Sequence, residues 1–218
     1  MKTDKAVVDE TLTSEKILDV ARDQVRRFGE AKTNVVDIAR ALGTSHTTIY
    51  RHFRSKADVF DALVGEAMRD EEELARTFVD SEGAASERLE CFVLALHKRK
   101  LERFANDPEV YQLYRRVIDE RPGLIHDYAA RMTKLVAMIL ADGVRKKEYK
   151  IDDIDAAAEV VRDAVTVYVH PAHVEAAAKV GLPLEPAIKR MISTLNVAFR
   201  SGFSHRSRQT TLESSAIV

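Results

Sequence analysis

Apolar side chains recur at helical spacing along most of the chain, and this periodicity restricts the fold more than any other feature of the sequence. The first apolar stripe consists of Ile17, Leu18, Ala21, Val25 and Phe28. Gly29 follows it, and glycine commonly ends a helix. Strict alternation of apolar and polar residues, which marks a half-buried strand, is nearly absent. The sequence therefore predicts an all-α fold.

Capping residues and prolines divide the pattern into successive helices. Asn34 and Ser55 each precede an aspartate by three residues, a spacing typical of helix N-termini. The pairs Asp107-Pro108 and Arg121-Pro122 interrupt the pattern later, because proline is tolerated at the start of a helix and not in its interior. The predicted helices cover residues 14–28, 34–42, 45–53, 55–79, 85–105, 108–119, 122–148, 153–180 and 184–203.

Several classes of protein are disfavoured by what the sequence lacks. Cys91 is the only cysteine, so no intrachain disulfide can form, and a lone thiol is typical of the reducing cytoplasm. Neither a signal peptide nor an apolar run of about 18 residues is present. The known glycine-loop, nucleophile and metalloprotease motifs are missing as well. We therefore expect a cytoplasmic protein that is no enzyme, contacts no membrane and holds no cofactor.

The charge of the chain is unevenly distributed. The formal net charge is -1, but residues 12–56 contain nine Lys or Arg against five Asp or Glu. A local basic excess is typical of a protein that binds a polyanion such as DNA. A solvated surface without a partner would give the same excess, so charge alone leaves both interpretations open.

The basic region contains two short helices joined by a glycine turn, in the sequence VVDIARALGTSHTTIYRHFRSK of residues 35–56. Ile38 and Leu42 on one helix, and Ile49 and Phe53 on the other, would hold the pair at a fixed angle. Ala39 is small where the two helices would cross. A fixed helix pair of this kind is the requirement of a helix-turn-helix unit, whose second helix enters the DNA major groove.

The polar face of the second helix suits contact with DNA, since it offers hydrogen-bonding groups and no carboxylate. His46 and Thr47 would face base edges, and Tyr50 and His52 would face phosphates. Lys56 begins the next helix, whose N-terminus also attracts phosphate. The predicted DNA-binding residues are Thr33, Asn34, Thr44, Ser45, His46, Thr47, Thr48, Tyr50, Arg51, His52 and Lys56.

The same segment carries a dense set of motifs: Ile17-Leu18-Asp19, Asp37-Ile38-Ala39, Leu42-Gly43 and Ile49-Tyr50-Arg51-His52-Phe53. In these motifs the chain resembles the TetR family of transcriptional regulators, from residue 14 to about residue 63. The resemblance implies a three-helix DNA-binding domain followed by a larger helical domain for ligand binding and dimerisation. It also implies a regulator, most often a repressor, that binds a palindromic operator in double-stranded DNA as a homodimer and is released by a small-molecule effector.

The predicted division of the chain is a disordered arm at 1–12, a helix-turn-helix domain at 13–56, an effector-binding and dimerisation domain at 57–203, and a disordered tail at 204–218. The tail is predicted to be disordered because it is rich in Ser, Thr and Arg. The last two long helices would form the dimer interface, although an ordinary intrachain core would give the same apolar stripes. The predicted interface residues are Ala157, Val161, Ala164, Ile188, Ile192, Leu195 and Phe199.

An effector pocket is expected among the helices of the larger domain, since such pockets are mostly apolar with a few orienting polar groups. Each candidate could equally belong to a plain core. The predicted pocket residues are Phe92, Leu96, Phe104, Tyr111, Tyr114, Met132, Val136, Tyr168 and His170.

The segment His170-Pro171-Ala172-His173 has two histidines three residues apart, a spacing that can chelate a metal on a helix. The alternative is a proline-kinked helix whose histidines form hydrogen bonds or line the pocket. No CxxC or HExxH pattern supports a metal, so none is predicted. Two other functions stay open from the residues: a helical dimer that binds a protein partner, and an enzyme on a helical scaffold.

Overall fold

The computed structural model describes residues 12–204 and consists, over that range, of α-helices and one isolated β-bridge between Ile151 and Phe203. The predicted all-α fold is confirmed. The predicted arm and tail lie outside the described residues, apart from Leu12 and Ser204. None of the described helices is long and apolar enough to cross a membrane. The helices are α1 (Ser14–Phe28), α2 (Val35–Ala41), α3 (His46–His52), α4 (Lys56–Val79), α5 (Ala85–Asn106), α6 (Pro108–Glu120), α7 (Pro122–Arg145), α8 (Ile154–Val169), α9 (Pro171–Lys179) and α10 (Glu185–Ser201).

Side-chain caps explain why the short helices form where they do. The side chains of Thr13, Asn34, Ser45 and Ser55 each accept a hydrogen bond from a backbone N–H at the start of α1, α2, α3 and α4. Helices α2 and α3 have only seven residues each. A helix this short is unstable alone, because its first turn is unfavourable to form. Caps and burial of an apolar face stabilise it instead.

The prediction of a single helix over residues 153–180 is wrong. Helix α8 ends at Val169, and α9 begins at Pro171. Between them His170 has an extended backbone, with φ of -72° and ψ of 129°. The proline ring disfavours a helical backbone for the residue before it, and Pro171 also lacks the N–H that a continuous helix would need. The break separates α8 from α9, and α9 contacts both α8 and α5.

The helices pack around two apolar cores. The first joins α1, α2 and α3 to the first part of α4 and to Leu113 and Val117 of α6; we call α1 to α3 the head. The second core joins the last part of α4 to α5, α7, α8 and α10. Tyr128 of α7 packs against both cores. Helix α4, with 24 residues, therefore runs from the head into the larger domain.

Most of the predicted dimer residues belong to the second core. Five of them are fully buried against the chain itself, and Ala164 and Leu195 are half-buried. For the buried five, the intrachain alternative is correct, because the stripe that identified them marks the side of each helix that faces its own domain. The five are Ala157, Val161, Ile188, Ile192 and Phe199.

The segment after α7 folds back on that helix at Gly143. Glu148 N–H donates to the Gly143 carbonyl at 2.8 Å, and the Tyr149 hydroxyl donates to Asn196 Oδ1 of α10 at 2.7 Å. The tyrosine ring lies so close to Gly143 that a Cβ there would overlap it, and would also lie 2.8 Å from the Ala85 Cβ. Glycine is therefore required at this crossing of α7 and α5.

Gly143→Ala is expected to lower the free energy of unfolding by about 1–3 kcal/mol, because the ring and the helices must move to admit a methyl group. Urea unfolding followed by circular dichroism measures the change. Gly123→Ala is the matched control, since Gly123 lies in the same helix with no atom within 4 Å of the added Cβ. A loss at Gly123 equal to that at Gly143 would contradict the steric explanation.

Candidate DNA-binding surface and effector cavity

Helices α2 and α3 form a helix pair with a tight turn between them. Gly43 adopts a φ of 66°, a left-handed conformation that favours glycine, and Thr44 N–H donates to the Ala39 carbonyl at 3.0 Å. Ile38, Ala39 and Ile49 are almost completely buried. These contacts hold α3 on α2, so the outward face of α3 has a fixed orientation.

The outward face of α3 carries several exposed polar groups and no carboxylate. Tyr50 is 46% exposed, and its ring lies edge-on to the imidazole of His46 with the centroids 6.3 Å apart. Thr47, Arg51 and His52 are exposed as well. The His52 Nδ1 lies 3.2 Å from Ser14 Oγ, which ties the end of α3 to α1. This face offers the donors that contact phosphates and base edges.

Thr33 and Thr48 do not belong to this exposed face. Thr33 is fully buried and donates its hydroxyl to the Gly29 carbonyl at 2.9 Å. Thr48 is 6% exposed, and its hydroxyl lies 3.0 Å from that of Ser45. Both hydroxyls form hydrogen bonds within the head. The structure therefore corrects the sequence prediction, which included both residues among those that contact DNA.

Lys56 is also turned inward. Its ammonium donates to the Glu30 carbonyl at 3.1 Å and lies 5.1 Å from the centre of the Phe60 ring. These contacts fasten the start of α4 to the loop after α1, whereas the sequence analysis predicted a phosphate contact at this residue. Asn34 and Ser45, also predicted to bind DNA, are exposed caps of α2 and α3, and Thr44 is half-buried in the turn.

Three exposed cations near the helix pair were missed. Lys32 precedes α2, Arg40 lies in its last turn, and Arg54 follows α3. The Arg40 side chain is 74% exposed although it contacts Asp37 at 2.8 Å. The basic excess of residues 12–56 was the signal that could have identified them.

Ion pairs join the head to the larger domain. Arg22 of α1 lies 2.5 Å from Glu66 of α4, and Arg116 of α6 lies 2.7 Å from Glu30 after α1. Arg26 contacts Asp107 through two nitrogens, at 2.5 Å and 3.1 Å. The head therefore rests on α4 and α6 through both apolar and charged contacts.

A cavity of about 180 Å³ lies between α4, α5, α6, α7 and α8, at the junction of the two cores. Its walls are mostly apolar, and its charged or titratable residues are Lys100, Arg162, His170, Tyr114 and Tyr128. Six of the nine predicted pocket residues meet there. They are Phe92, Leu96, Tyr114, Met132, Val136 and His170.

The other three predicted pocket residues lie outside this cavity. The rings of Phe104 and Tyr111 pack on each other with centroids 5.4 Å apart, and the Tyr111 hydroxyl donates to the Pro171 carbonyl at 2.7 Å. Tyr168 packs against the second core, and its carbonyl lies 2.9 Å from His97 Nδ1. Their helices were correctly placed near the cavity, but the side chains face other neighbours.

One end of the cavity is formed by a buried ionic cluster that the sequence analysis missed. Glu71 of α4 is fully buried and accepts a hydrogen bond from Lys100 of α5 at 2.7 Å. Arg103 also donates to this carboxylate, and so does the Tyr128 hydroxyl at 2.5 Å. The Lys100 ammonium donates in addition to the Tyr114 hydroxyl at 3.1 Å. One carboxylate thus holds α4, α5 and α7 together.

The cluster is ionised. Burial alone would raise the pKa of Glu71, but the charges of Lys100 and Arg103 outweigh it and hold the pKa below its usual value. Burial alone would lower the pKa of Lys100, whereas the Glu71 charge raises it. Burial and the Glu71 charge raise the pKa of Tyr114, so its phenol keeps its proton.

A sequence signal for Glu71 did exist. Adjacent carboxylates such as those of the run Glu71-Glu72-Glu73 point in different directions from a helix, so the run by itself does not indicate a shared site. Glu71, however, continues the apolar stripe of Val64, Met68 and Ala75 at spacings of four, three and four residues. A charged residue on the buried stripe of a helix indicates a buried partner, because an unpaired buried charge is strongly unfavourable.

His170 lies at the break between α8 and α9. Its Nδ1 accepts a hydrogen bond from Ala172 N–H at 3.3 Å. Burial, the neighbouring His173 and Lys100 lower the pKa of His170. Because Nδ1 accepts the hydrogen bond from Ala172, the neutral ring has its proton on Nε2. The two histidine rings are 5.5 Å apart. Within residues 12–204, no three His, Cys, Asp or Glu side chains gather as a metal site would require.

A larger groove, of about 630 Å³, separates α1 from α4 and α6. Charged side chains of both signs line it, among them Asp19, Arg22, Glu66 and Asp107. Several of them already pair across the groove, as Arg22 does with Glu66. The groove is thus the cleft between the head and the larger domain, and the smaller cavity is the site with the apolar walls of a ligand pocket.

Comparison with known proteins agrees with this architecture. The family model described as "Bacterial regulatory proteins, tetR family" matches residues 17–63, and the one described as "Tetracyclin repressor-like, C-terminal domain" matches residues 85–185.

Solved structures of similar fold include a TetR/AcrR-family regulator from Thermobifida fusca, with 20% identity, a TM-score of 0.61, and 86% of this chain and 98% of that chain covered. A transcriptional regulator from Cytophaga hutchinsonii has 18% identity and a TM-score of 0.63, and the match covers 84% of this chain and 96% of that chain. FadR from Bacillus subtilis, solved with stearoyl-CoA, has 18% identity, a TM-score of 0.57 and coverage of 88% and 100%.

An exposed recognition helix on a capped helix pair, followed by a larger helical domain, defines a helix-turn-helix DNA-binding transcriptional regulator. The chain belongs to the TetR family. The family predicted from the sequence is confirmed. Membership also makes the chain a transcriptional regulator and not an enzyme.

Glu71→Gln is expected to lower the free energy of unfolding by about 3–5 kcal/mol at neutral pH, because it leaves Lys100 buried without its counter-charge. Urea unfolding measures the loss. Since the pKa of Glu71 is lowered by folding, its stabilisation is present above the unfolded-state pKa and is lost as pH falls. The difference between wild type and variant should therefore shrink in acid.

Glu73→Gln is the control for this experiment, because Glu73 belongs to the same carboxylate run and is exposed. Its effect should stay within about 0.5 kcal/mol. Equal losses for the two variants, or a Glu71 effect that does not diminish in acid, would contradict the role given to the buried cluster.

Proposed function

We propose that this regulator is a repressor that binds a palindromic operator as a homodimer and leaves it when a small molecule enters the cavity. The observation that carries the proposal is the course of α4. At its start Val59 and Phe60 are buried in the core of the head, and farther along Met68 lines the cavity and Glu71 pairs with Lys100. One continuous helix thus connects the DNA-binding surface with the ligand site.

In the proposed complex the two α3 helices of a dimer enter successive major grooves, about 34 Å apart. His46 and Thr47, in the first turn of α3, contact base edges. Tyr50 and Arg51 contact phosphates and set the position of the helix. Because DNA lies in the cytoplasm of a bacterium, the regulator acts there.

The proposed dimer uses the exposed faces of α8 and α10, two helices that contact each other. Val160 and Val167 on α8 are 37% and 46% exposed, and Val197 on α10 is 59% exposed. Glu159 and Asp163 are exposed on α8, and Lys189 and Arg190 on α10. A two-fold axis that sets α8 against the partner's α10 would bring opposite charges together around an apolar centre.

Release follows if the ligand binds one state of the dimer more tightly than the other. A ligand in the cavity contacts Lys100 and Tyr114, which reach α4 through Glu71 and the head core through α6. A change in those contacts shifts the position of the head relative to α4 and α6. The separation of the two recognition helices then no longer matches one turn of DNA.

A dimer that binds only a protein partner is the competing function. The exposed face of α3 favours DNA instead, because it presents donors without a carboxylate beside the cations Arg40 and Arg54. Binding to DNA that weakens steeply with salt distinguishes the two functions.

Tyr50→Ala is expected to weaken binding to every duplex by about tenfold, because the variant loses one hydrogen bond to a charged phosphate. Thr47→Ala should instead change which sequence is preferred. Fluorescence anisotropy with an operator selected from a random library, at several salt concentrations, measures both effects.

Phe28→Ala is the control for Tyr50→Ala, since Phe28 is an aromatic residue of the head with a similar exposure of 53%, on α1. Its DNA affinity should stay close to that of the wild type. If Tyr50→Ala and Thr47→Ala both bind like the wild type at matched salt, α3 is not the DNA-reading helix.

Val197→Asp is expected to convert the dimer to a monomer and to weaken operator binding in parallel, because a charge is unfavourable in an apolar interface. Light scattering after size exclusion gives the mass. Met138→Asp places the same charge on an exposed apolar residue of α7 and should leave the dimer intact. A wild-type monomer, or a dimer that survives Val197→Asp, would exclude this interface.

A further inference from the structure

The ionic end of the cavity carries more positive than negative charge. Lys100 and Arg103 share one buried carboxylate, that of Glu71. Arg103 also reaches Asp70 at 3.6 Å, but the Asp70 side chain is 59% exposed, so water screens that contact. The cluster that borders the cavity therefore has one positive charge without a buried counter-charge.

The rest of the wall offers hydrogen-bond donors and no acid. Among the described residues that line the cavity none is acidic. Thr133 and Thr166 donate their hydroxyls to carbonyls of their own helices, at 2.8 Å and 2.7 Å. Arg162 also lines the cavity, but its Nε donates to Asp163 at 2.9 Å and its side chain is 37% exposed. The other donors of the wall are the Lys100 ammonium, the Tyr114 phenol and the Nε2–H of His170. A ligand that fits this wall must bring acceptors.

The size of the cavity limits the ligand further. An apolar cavity of about 150 Å³ binds benzene, and drug-sized ligands occupy about 300–1,000 Å³. At about 180 Å³ this cavity has room for one substituted ring or a short chain. The stearoyl-CoA held by FadR of Bacillus subtilis is far larger.

We infer that the effector is a small monocarboxylate of about the size of benzoate. Its apolar part lies against Phe92, Leu96 and Val136, and its carboxylate accepts hydrogen bonds from Lys100 and Tyr114. That carboxylate supplies the missing counter-charge and competes with Glu71 for Lys100. Because Glu71 belongs to α4 and Lys100 to α5, this competition changes the contact between those helices. The effector role rests on the proposed function, whereas the binding site does not.

Calorimetric titration of the full chain with benzoate and with benzamide tests the site, since the two molecules share a shape and differ in charge. Benzoate should bind at least tenfold more tightly than benzamide. Lys100→Met should remove this preference and change benzamide affinity less than threefold. Lys98→Met, an exposed cation of the same helix, should behave like the wild type. Ala129→Phe, which fills the cavity, should abolish binding of both molecules.

Two further variants keep the test decisive. If Lys100→Met fails to fold by circular dichroism, Tyr114→Phe replaces it and should weaken benzoate severalfold more than benzamide. Arg162→Met should have little effect, because the Arg162 side chain is 37% exposed and is paired with Asp163 at 2.9 Å. The inference is overturned if benzoate binds no better than benzamide, if its preference survives Lys100→Met, or if Arg162→Met alone removes it. Binding of stearoyl-CoA in place of both small molecules would overturn the size limit.

An operator-release assay separates the two proposals. Benzoate that binds as described to a protein without affinity for any selected duplex supports the site and refutes the repressor function. A protein that binds its operator and releases it for another compound, while benzoate fails to bind, keeps the function and refutes this inference. Benzoate that binds and releases the operator supports both.

Discussion

The fully buried carboxylate of Glu71 is the contact on which the arrangement of the larger domain depends. It accepts hydrogen bonds from α5 through Lys100 and Arg103, and from α7 through Tyr128. A buried charge is tolerated only when its partners are close and well oriented. Helix α4 therefore has little freedom to rotate or slide where it crosses the larger domain. The position of α4 in turn determines where the head lies, because the start of α4 is part of the core of the head.

This arrangement places a polar cluster where an apolar core would be simpler. Well-packed apolar residues of similar volume often stabilise a protein at least as well as a buried ion pair does. The cluster lies at the end of the cavity and at the crossing of α4 and α5, so a bound molecule can contact it directly. We interpret the ionic cluster as a contact that a ligand can rearrange, whereas an apolar core would offer only volume.

The helix-turn-helix was predictable because its information is local. Each short helix starts at a capping side chain, and the turn needs the positive φ of Gly43. The break at Pro171 also has a local cause, but the sequence pattern continued across it and concealed the end of α8. The face that each residue presents was harder to predict. Threonine often contacts DNA, so Thr33 and Thr48 were plausible candidates. Only the packing of the head shows that their hydroxyls form hydrogen bonds within it.

The same distinction holds for the whole chain. The sequence by itself determined the helices, the family, the basic head and six residues of the cavity, because periodicity, caps and motifs act over a few neighbouring residues. Only the tertiary structure decided that Ile188 and Phe199 belong to the core of their own chain, that Lys56 faces inward, and that Glu71 and Lys100 meet. Glu71 and Lys100 are separated by 29 positions. A stripe on a helix shows that one side is buried, but the partner that buries it comes from elsewhere in the chain, and its identity depends on how the helices pack.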